Sequence, residues 1–577
     1  MIQSNTHNFV HCSNFYTPQR IEEIAVRKTA SKNGVSVKAY AGTTGVLLAM
    51  NLQASERQGL LGFAIERVDG RSGQKEWLSG TLSFPGMSHQ PGNLIASHLA
   101  PIQKFRWSDY RVYPETTYKY SIHPIYGEPN RLQIGVGPTV TVTTASSQSE
   151  HYVLFNRAAA ASQAFSRKFP EVEQQINEAR KAKKPLPELP PPVLAWLSRG
   201  VLEQIVQLIE RAADETWALD IAIYEYELSE IVQAVKAAHA RGVNVRIVYH
   251  AKNGDAQTEE NEKNLEGLPA TLKRARITSK ICHHKFIVLS RLSQAERSPE
   301  AMLCGSTNFT HNGVYRQANV VHVTQDVAIA QYYLNLFEVL FQGKTPTETR
   351  DYINQNNPIE IGQSAFAGFS PRSERTDLQA FVQTINGAKR DVLFCTAFDL
   401  YDELEAALLG KPRDPILRYG LQNSRSQITG IHADRTADFV ATAMLTNGLE
   451  GFLKESTKGQ RGNILIHTKL IVVDFTSDNP IVISGSHNFS KAASESNDEN
   501  FLVLRGNTDV ADCYGCELMR LYDHYRFRFR LKDGKDESSS QPAKLPALTP
   551  DASWTDPYFT LGSLKCNDRL RFAGEAD

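Results

Sequence analysis

Apolar residues along this chain fall into two regimes. From about Val35 to Thr144 they alternate with polar ones or form short runs: VSVKAYA, GVLLAMNLQ, LGFAIERV and KEWLSGTLSF, then KFRWSDYRVYPETTYKYSIHPIYGE and VGPTVTVTT. Gly, Ser and Asn turns separate them. Short period-two runs broken in this way predict an all-β sandwich, placed at 31–146. Beyond Ala195 strand-like runs alternate with helical stretches. LSRGVLEQIVQLIERA has apolar residues at helical spacing, WALDIAIYEY reads as a buried strand, LSEIVQAVKAAHARG as a helix ending at Gly242, and VNVRIVYH as the next strand. Strand, helix and strand within about 35 residues predict a βαβ unit with parallel strands. The plan repeats, with a helix over Asp377–Ala388, the strand DVLFCTAF and the short helix YDELEAALLG. Helices over Tyr332–Gln342 and Val510–Arg530 close two halves, 197–345 and 346–531. The fold class is therefore α/β, two α/β/α halves preceded by a sandwich.

The remaining stretches lack such a signal. Residues 1–30 are polar and irregular. Residues 147–196 form a connector, with HYVLFNRAAAASQAFSRKF and EVEQQINEARKAKK helical and PLPELPPP extended. Residues 251–280 and 410–462 are charged, irregular walls in matching slots of the two halves. The tail 532–577 is partly disordered, with a more structured end.

Composition narrows the class. A chain of 577 residues with 41% hydrophobic and 22% charged residues builds large cores. Sixty-three basic and sixty-three acidic residues balance, so the global charge does not mark a nucleic-acid or anionic-membrane binder. No apolar run reaches the length of a membrane span. The first twenty residues lack the charged head and apolar core of a signal peptide, which gives a cytoplasmic expectation. Seven scattered cysteines do not make a disulfide framework. Cys513 and Cys516 form a lone C-x-x-C, and His7, His11 and Cys12 cluster near one end. Neither makes a strong metal site, and no cofactor is expected. The run Arg180 to Lys184 reads as a solvated helix face.

The chemistry concentrates in one stretch, ILIHTKLIVVDFTSDNPIVISGSHNFSKAASESNDENFLVL, from Ile464 to Leu504. His467 and Lys469 stand two apart on an apolar run, so on a strand they face one way. Imidazole is a nucleophile or proton carrier near neutral pH, and an ammonium suits a phosphate oxygen. Ser486 and Asn488 follow Gly485 and add hydrogen bonds for the same anion. An earlier stretch repeats the order: His283, Lys285, an apolar run, then Gly305, Ser306, Thr307 and Asn308. The copies lie about 180 residues apart. Such a repeat predicts two related halves meeting at one site.

These motifs resemble those of the phospholipase D superfamily, H-x-K-x4-D followed by G-S-x-x-N or a close variant. The second copy matches in full at His467, Lys469, Asp474, Gly485, Ser486 and Asn488. The first departs, with Ser290 in place of the Asp and Ala318-Asn319 where the second copy has Glu499-Asn500. The resemblance covers roughly 197–531 and implies a pseudo-twofold catalytic unit, a monomer with an internal pseudo-dimer. It implies phosphodiester hydrolysis or transfer through a phosphohistidine, with His283, Lys285, His467, Lys469, Asp474 and Glu499 catalytic. Ser306, Asn308, Ser486 and Asn488 then bind the substrate phosphate, without a metal. Glu499 is expected to orient His467. Three functions are weighed: phospholipid head-group cleavage with peripheral membrane contact, a metal-independent nuclease on nucleic acid, and a binding scaffold with a weakened site. In the sandwich, Tyr113 to Tyr120 resembles the tyrosine corner of a fibronectin type III domain, which implies a spacer or protein-docking role.

Overall fold

The computed structural model describes residues 27–87, 93–157, 162–411, 414–423, 437–441, 466–533 and 547–575. Most of the 1–30, 410–462 and 532–547 stretches, with His7, His11 and Cys12, lie outside the described residues.

Each half is built on a seven-stranded mixed sheet, and the two sheets share one strand order. In the first it runs His151–Phe155, Val320–Thr324, Glu296–Gly305, Lys285–Ser293, Trp217–Ile223, Asn244–His250, Lys273–Arg276. In the second it runs Ala365–Ser370, Glu499–Arg505, Ile481–Gly485, Leu470–Val473, Asp391–Ala397, Leu417–Asn423, Ala437–Ala441. The expected βαβ unit is present. Trp217–Ile223 and Asn244–His250 pair in parallel, joined by the helix Ser229–Ala240. These central strands are buried on both faces, which is why they read as unbroken apolar runs.

Two expectations are corrected. HYVLF is not helical. His151–Phe155 is the edge strand of the first sheet, antiparallel to Val320–Thr324, so that sheet begins inside the connector. Residues 251–280 are not irregular either. They hold a helix, Ala256–Asn264, whose residues are polar almost all round, and the strand Lys273–Arg276. A helix without an apolar stripe leaves no periodic trace.

The halves share a core. Phe286, Val288 and Tyr333 of the first belong to one buried cluster with Phe369, Leu393 and Leu470 of the second. Backbone bridges pair Cys282 with Asp498 and Ala318 with Ile466. Arg276 donates from Nε and Nη2 to the two Asp498 carboxylate oxygens, at 2.8 and 3.0 Å, across the same seam.

The N-terminal region is two antiparallel sheets over one core. Lys28–Lys32, Val35–Ala41, Val46–Leu52 and Arg106–Asp109 form one. Lys75–Trp77, Gly62–Asp69 and Thr117–Glu128 form the other, with Arg131–Ile134 and Thr139–Thr143 both paired to Thr117–Glu128. Val37, Leu48, Phe63 and Tyr120 fill the space between them. The Tyr118 hydroxyl accepts from the Tyr113 backbone N–H at 3.0 Å. The end of the chain completes this core. Trp554 and Tyr558 pack into it, and Trp554 Nε1 donates to the Leu60 carbonyl at 2.9 Å. The helix Thr508–Asp533 ties the sandwich to the catalytic halves. It carries Cys513 and Cys516, which pack against Thr43 and the Tyr40 carbonyl.

The Arg276–Asp498 pair is almost wholly buried, at 2% and 0% side-chain exposure. Removing one partner of such a pair strands the other's charge. Arg276→Ala is expected to destabilise the protein by about 3–5 kcal/mol, read as a lowered urea midpoint.

Candidate active site

Both motif histidines sit just before a strand rather than on it, while Lys285 opens its strand and Lys469 stands one residue ahead of its own. His283 and His284 precede Lys285–Ser293, and His467 to Lys469 precede Leu470–Val473. Each segment is held extended by the opposite half. The His283 N–H donates to the Asp498 carbonyl at 2.9 Å, and the His467 N–H to the Ala318 carbonyl at 3.0 Å. The two imidazoles therefore meet across the seam, edge to face, with ring centroids 6.2 Å apart. That spacing is of the order of two near-attack distances of about 3 Å each, the separation that an in-line transfer between two rings calls for. Aromatic rings back both, Tyr224 at 5.3 Å from His283 and Phe398 at 6.1 Å from His467.

The residue that orients each histidine comes from the other half. Glu499 Oε2 lies 2.7 Å from His283 Nδ1. Asn319 Oδ1 and the Ser306 carbonyl each lie 3.1 Å from His467 Nδ1. This corrects the expectation that Glu499 serves His467. Glu499 stands one residue past Asp498, and Asn319 one past Ala318, so the crossing follows from the two backbone bridges, and Asn319 is the counterpart of Glu499 rather than of Asn500, a correction of one residue to the alignment of the motifs. A carboxylate and a carbonyl only accept, so each ring carries its proton on Nδ1 and keeps the Nε2 lone pair. His284 is held apart from this pair, with Nδ1 at 3.3 Å from Asn500 Oδ1 in the core.

Three more assignments change. Ser306 Oγ donates to Asn319 Oδ1 at 2.8 Å, and Ser486 Oγ to Glu499 Oε2 at 2.7 Å. Their hydroxyl protons are committed to fixing the orienting residues, not to a phosphate. Asp474 is not at the centre. It lies past the far end of Leu470–Val473, where its Oδ1 accepts from the Lys389 and Arg390 N–H groups at 2.8 and 2.7 Å. Seven residues of extended chain put it about 23 Å from His467. In the first half Ser290 takes that position inside an unbroken strand that runs on to Ser293.

Gly305 and Gly485 are required by close approach. A Cβ on Gly305 would meet the Val320 carbonyl oxygen at 2.2 Å, and one on Gly485 the Asn500 carbonyl oxygen at 2.3 Å. Those neighbours flank Asn319 and Glu499, so the glycines let the orienting strands lie against the motif loops.

Around the histidines are cationic donors with little to hold. Lys285 Nζ donates to the His283 carbonyl at 2.7 Å. Lys469 Nζ and the Oδ1 atoms of Asn308 and Asn488 are buried with no hydrogen-bond partner among the described residues. Burial pushes Lys285 down to about 8 against the pull of Glu499 and Glu225. Burial, with Lys285 adding repulsion, carries Lys469 well below its usual range. His467 is lowered strongly by burial and then by Lys469, Lys285 and His283. Burial raises Glu499, which makes it a better acceptor for the His283 proton. Such a cluster is unfavourable empty and suits a buried anion.

Sequence reasoning missed Glu225. It follows the strand Trp217–Ile223 and accepts from Asn308 Nδ2. It fell inside WALDIAIYEY, read whole as a buried strand. Aligning the halves was the available signal, because Phe398 and Asp399 follow Asp391–Ala397 as Tyr224 and Glu225 follow Trp217–Ile223.

Among known families, residues 205–341 match the model described as cardiolipin synthase, phospholipase D-like domain. No curated protein matches the chain. Solved structures similar to it include polyphosphate kinase from Porphyromonas gingivalis, 13% identical over 52% of this chain and 43% of that one, with a TM-score of 0.38. The chain thus spans under half the length of that kinase. Phosphatidylserine synthase from Haemophilus influenzae is 10% identical over 57% of this chain and 84% of that one, with a TM-score of 0.38. The phospholipase D family member Nuc from Salmonella typhimurium is 21% identical over 24% and 83%, with a TM-score of 0.20. The family model covers only the first half, and the second carries the complete motif on a sheet of the same order. Residues 205–341 are thus similar to a phospholipase D-like domain, and the second half repeats its motif and its strand order.

Proposed function

We propose that the chain is a phosphodiesterase acting through a phosphohistidine on His283, with a phospholipid head group as the preferred substrate. The observation that carries this reading is the facing imidazole pair with its two buried lysines. His283 is assigned as nucleophile because it has the carboxylate. Its Nε2 attacks phosphorus while Glu499 accepts the Nδ1–H, so the positive charge that forms on the ring is stabilised. The bond from phosphorus to the leaving oxygen breaks, and that oxygen takes a proton from His467 Nε2. His467 faces only neutral acceptors, which leaves it the more acidic ring. The bound phosphate monoanion offsets the lysine charges that disfavour its protonated form. In the second step His467 removes a proton from water, whose oxygen displaces His283 from phosphorus. Lys285 and Lys469 neutralise the phosphate oxygens, with Asn308 and Asn488 beside them.

Against a scaffold role stands the cost of burying Lys469 and His467, whose charged forms burial disfavours strongly, which a binding surface has no reason to retain. Against a nucleic acid stands the balanced charge and the carboxylate of Glu225 beside the lysines. We further infer that the sandwich is a fibronectin type III-like spacer or docking module, supported by the Tyr113–Tyr118 bond and the strand order. No described helix is long and apolar enough to cross a membrane, and lipid access at a membrane surface is part of the proposal.

His467→Ala is expected to lower turnover of a phosphodiester by roughly 100- to 10,000-fold, and His283→Ala to abolish it. With a radiolabelled aryl phosphodiester, whose leaving group needs no acid, label is expected to stay on the His467→Ala protein and be absent from His283→Ala. Label on His283→Ala would reverse the assignment. The lysine charge gives a second expectation. Lys285 is protonated below about 8 and neutral above it. Inorganic phosphate binding, followed by calorimetry, is expected to weaken by about tenfold per pH unit once pH rises past that value. Affinity unchanged up to pH 10 would contradict it.

A further inference from the structure

A carboxylate beside a phosphate pocket opposes the anion it is meant to hold. Glu225 stands in that position. Its carboxylate accepts from Asn308 Nδ2, its backbone carbonyl accepts from the Phe309 N–H at 3.0 Å, and Tyr226 and Phe309 form a bridge. Its charge acts on both Lys285 and Lys469, so it lies against the centre of the site. It is half-buried, whereas the lysines are fully buried. The second half places Asp399, exposed, at the same point after its strand. Two buried acceptors, Asn308 Oδ1 and Asn488 Oδ1, have no donor among the described residues. The lysines supply the positive centre of the site, and these oxygens supply acceptors at its border.

We propose that Glu225 is a specificity-determining residue that accepts a primary ammonium carried on the alcohol of the phosphodiester. Such a group brings three donors and one positive charge. It answers the carboxylate, with Asn308 beside it, and it removes the repulsion between Glu225 and the phosphate. A polyanionic strand has no such group and brings further phosphates toward Glu225 and Asp399. An analogue that lacks the ammonium leaves the Glu225 charge facing the phosphate uncompensated, and the site discriminates against it by that repulsion. The proposal rests on the shared site being a phosphodiester site and names the chemistry it selects.

Binding of O-phosphoethanolamine and of ethyl phosphate separates the two ideas, since binding does not require turnover. By calorimetry the wild-type protein is expected to bind the aminoethyl compound at least tenfold more tightly. In Glu225→Gln the side chain still accepts from Asn308 but has no charge, and the ratio of the two affinities is expected to fall to about one. Asp399→Asn, at an exposed position, is expected to reduce the ratio by a smaller factor. Wild-type affinities that do not differ would overturn the proposal whatever the variants do. So would a Glu225→Gln protein that weakens both ligands equally, which would leave Glu225 as a support for Asn308. An intact preference in a protein that turns over neither p-nitrophenyl 2-aminoethyl phosphate nor p-nitrophenyl ethyl phosphate would keep this inference and sink the proposed activity.

Discussion

The structure depends on a hydrogen bond that crosses between its halves. Glu499 holds His283 from 216 residues away, and Asn319 holds His467 in the mirrored position. Because each orienting residue belongs to the half opposite its histidine, neither half contains a finished site. Much of the buried seam serves that crossing. The bridges Cys282–Asp498 and Ala318–Ile466 bring the strands to the right depth, Arg276 clamps Asp498, and Gly305 and Gly485 leave room for the approach. Two sheets of one strand order, joined through a shared core and two backbone bridges, are the framework of that exchange.

Within that symmetry the chain is deliberately unequal. One histidine has a buried carboxylate behind it and the other a neutral amide, although the serines that fix them do the same work in both halves. A carboxylate stabilises an imidazole that becomes positive, whereas an amide favours one that gives its proton up. In the proposed mechanism the difference of one residue, Glu499 against Asn319, separates two roles that an exact repeat would leave degenerate. The same inequality recurs at the border of the site, where Glu225 is half-buried and Asp399 exposed.

How much of this was legible depended on how local the cause is. Strand and helix alternation in each half was readable because buried central strands and amphipathic helices leave periodic patterns. The histidines, lysines and asparagines were readable because their spacing is fixed within one motif. The crossing was not, since nothing local in ESNDEN says which ring Glu499 will reach. The serine hydroxyls looked like phosphate donors until Asn319 and Glu499 were found beside them. Asp474 belongs to the motif by spacing, yet its carboxylate caps the turn before Asp391, a backbone need at the far end of the strand. HYVLF resembled a helix because an alanine run follows it, and only pairing with Val320–Thr324 overrides that propensity. The role of the last thirty residues, filling the sandwich core with Trp554 and Tyr558, could come only from tertiary packing.

The exchange of orienting residues is open to direct observation by nitrogen-selective NMR of the histidine rings. A ring N–H bonded to a buried carboxylate resonates far downfield and exchanges slowly. The account predicts that the signal assigned to His283 Nδ1–H is lost in Glu499→Gln and persists in Asn319→Ala, while the His467 signal responds the other way round. A His467 signal that vanishes with Glu499 and a His283 signal indifferent to it would contradict the crossing on which the rest is built.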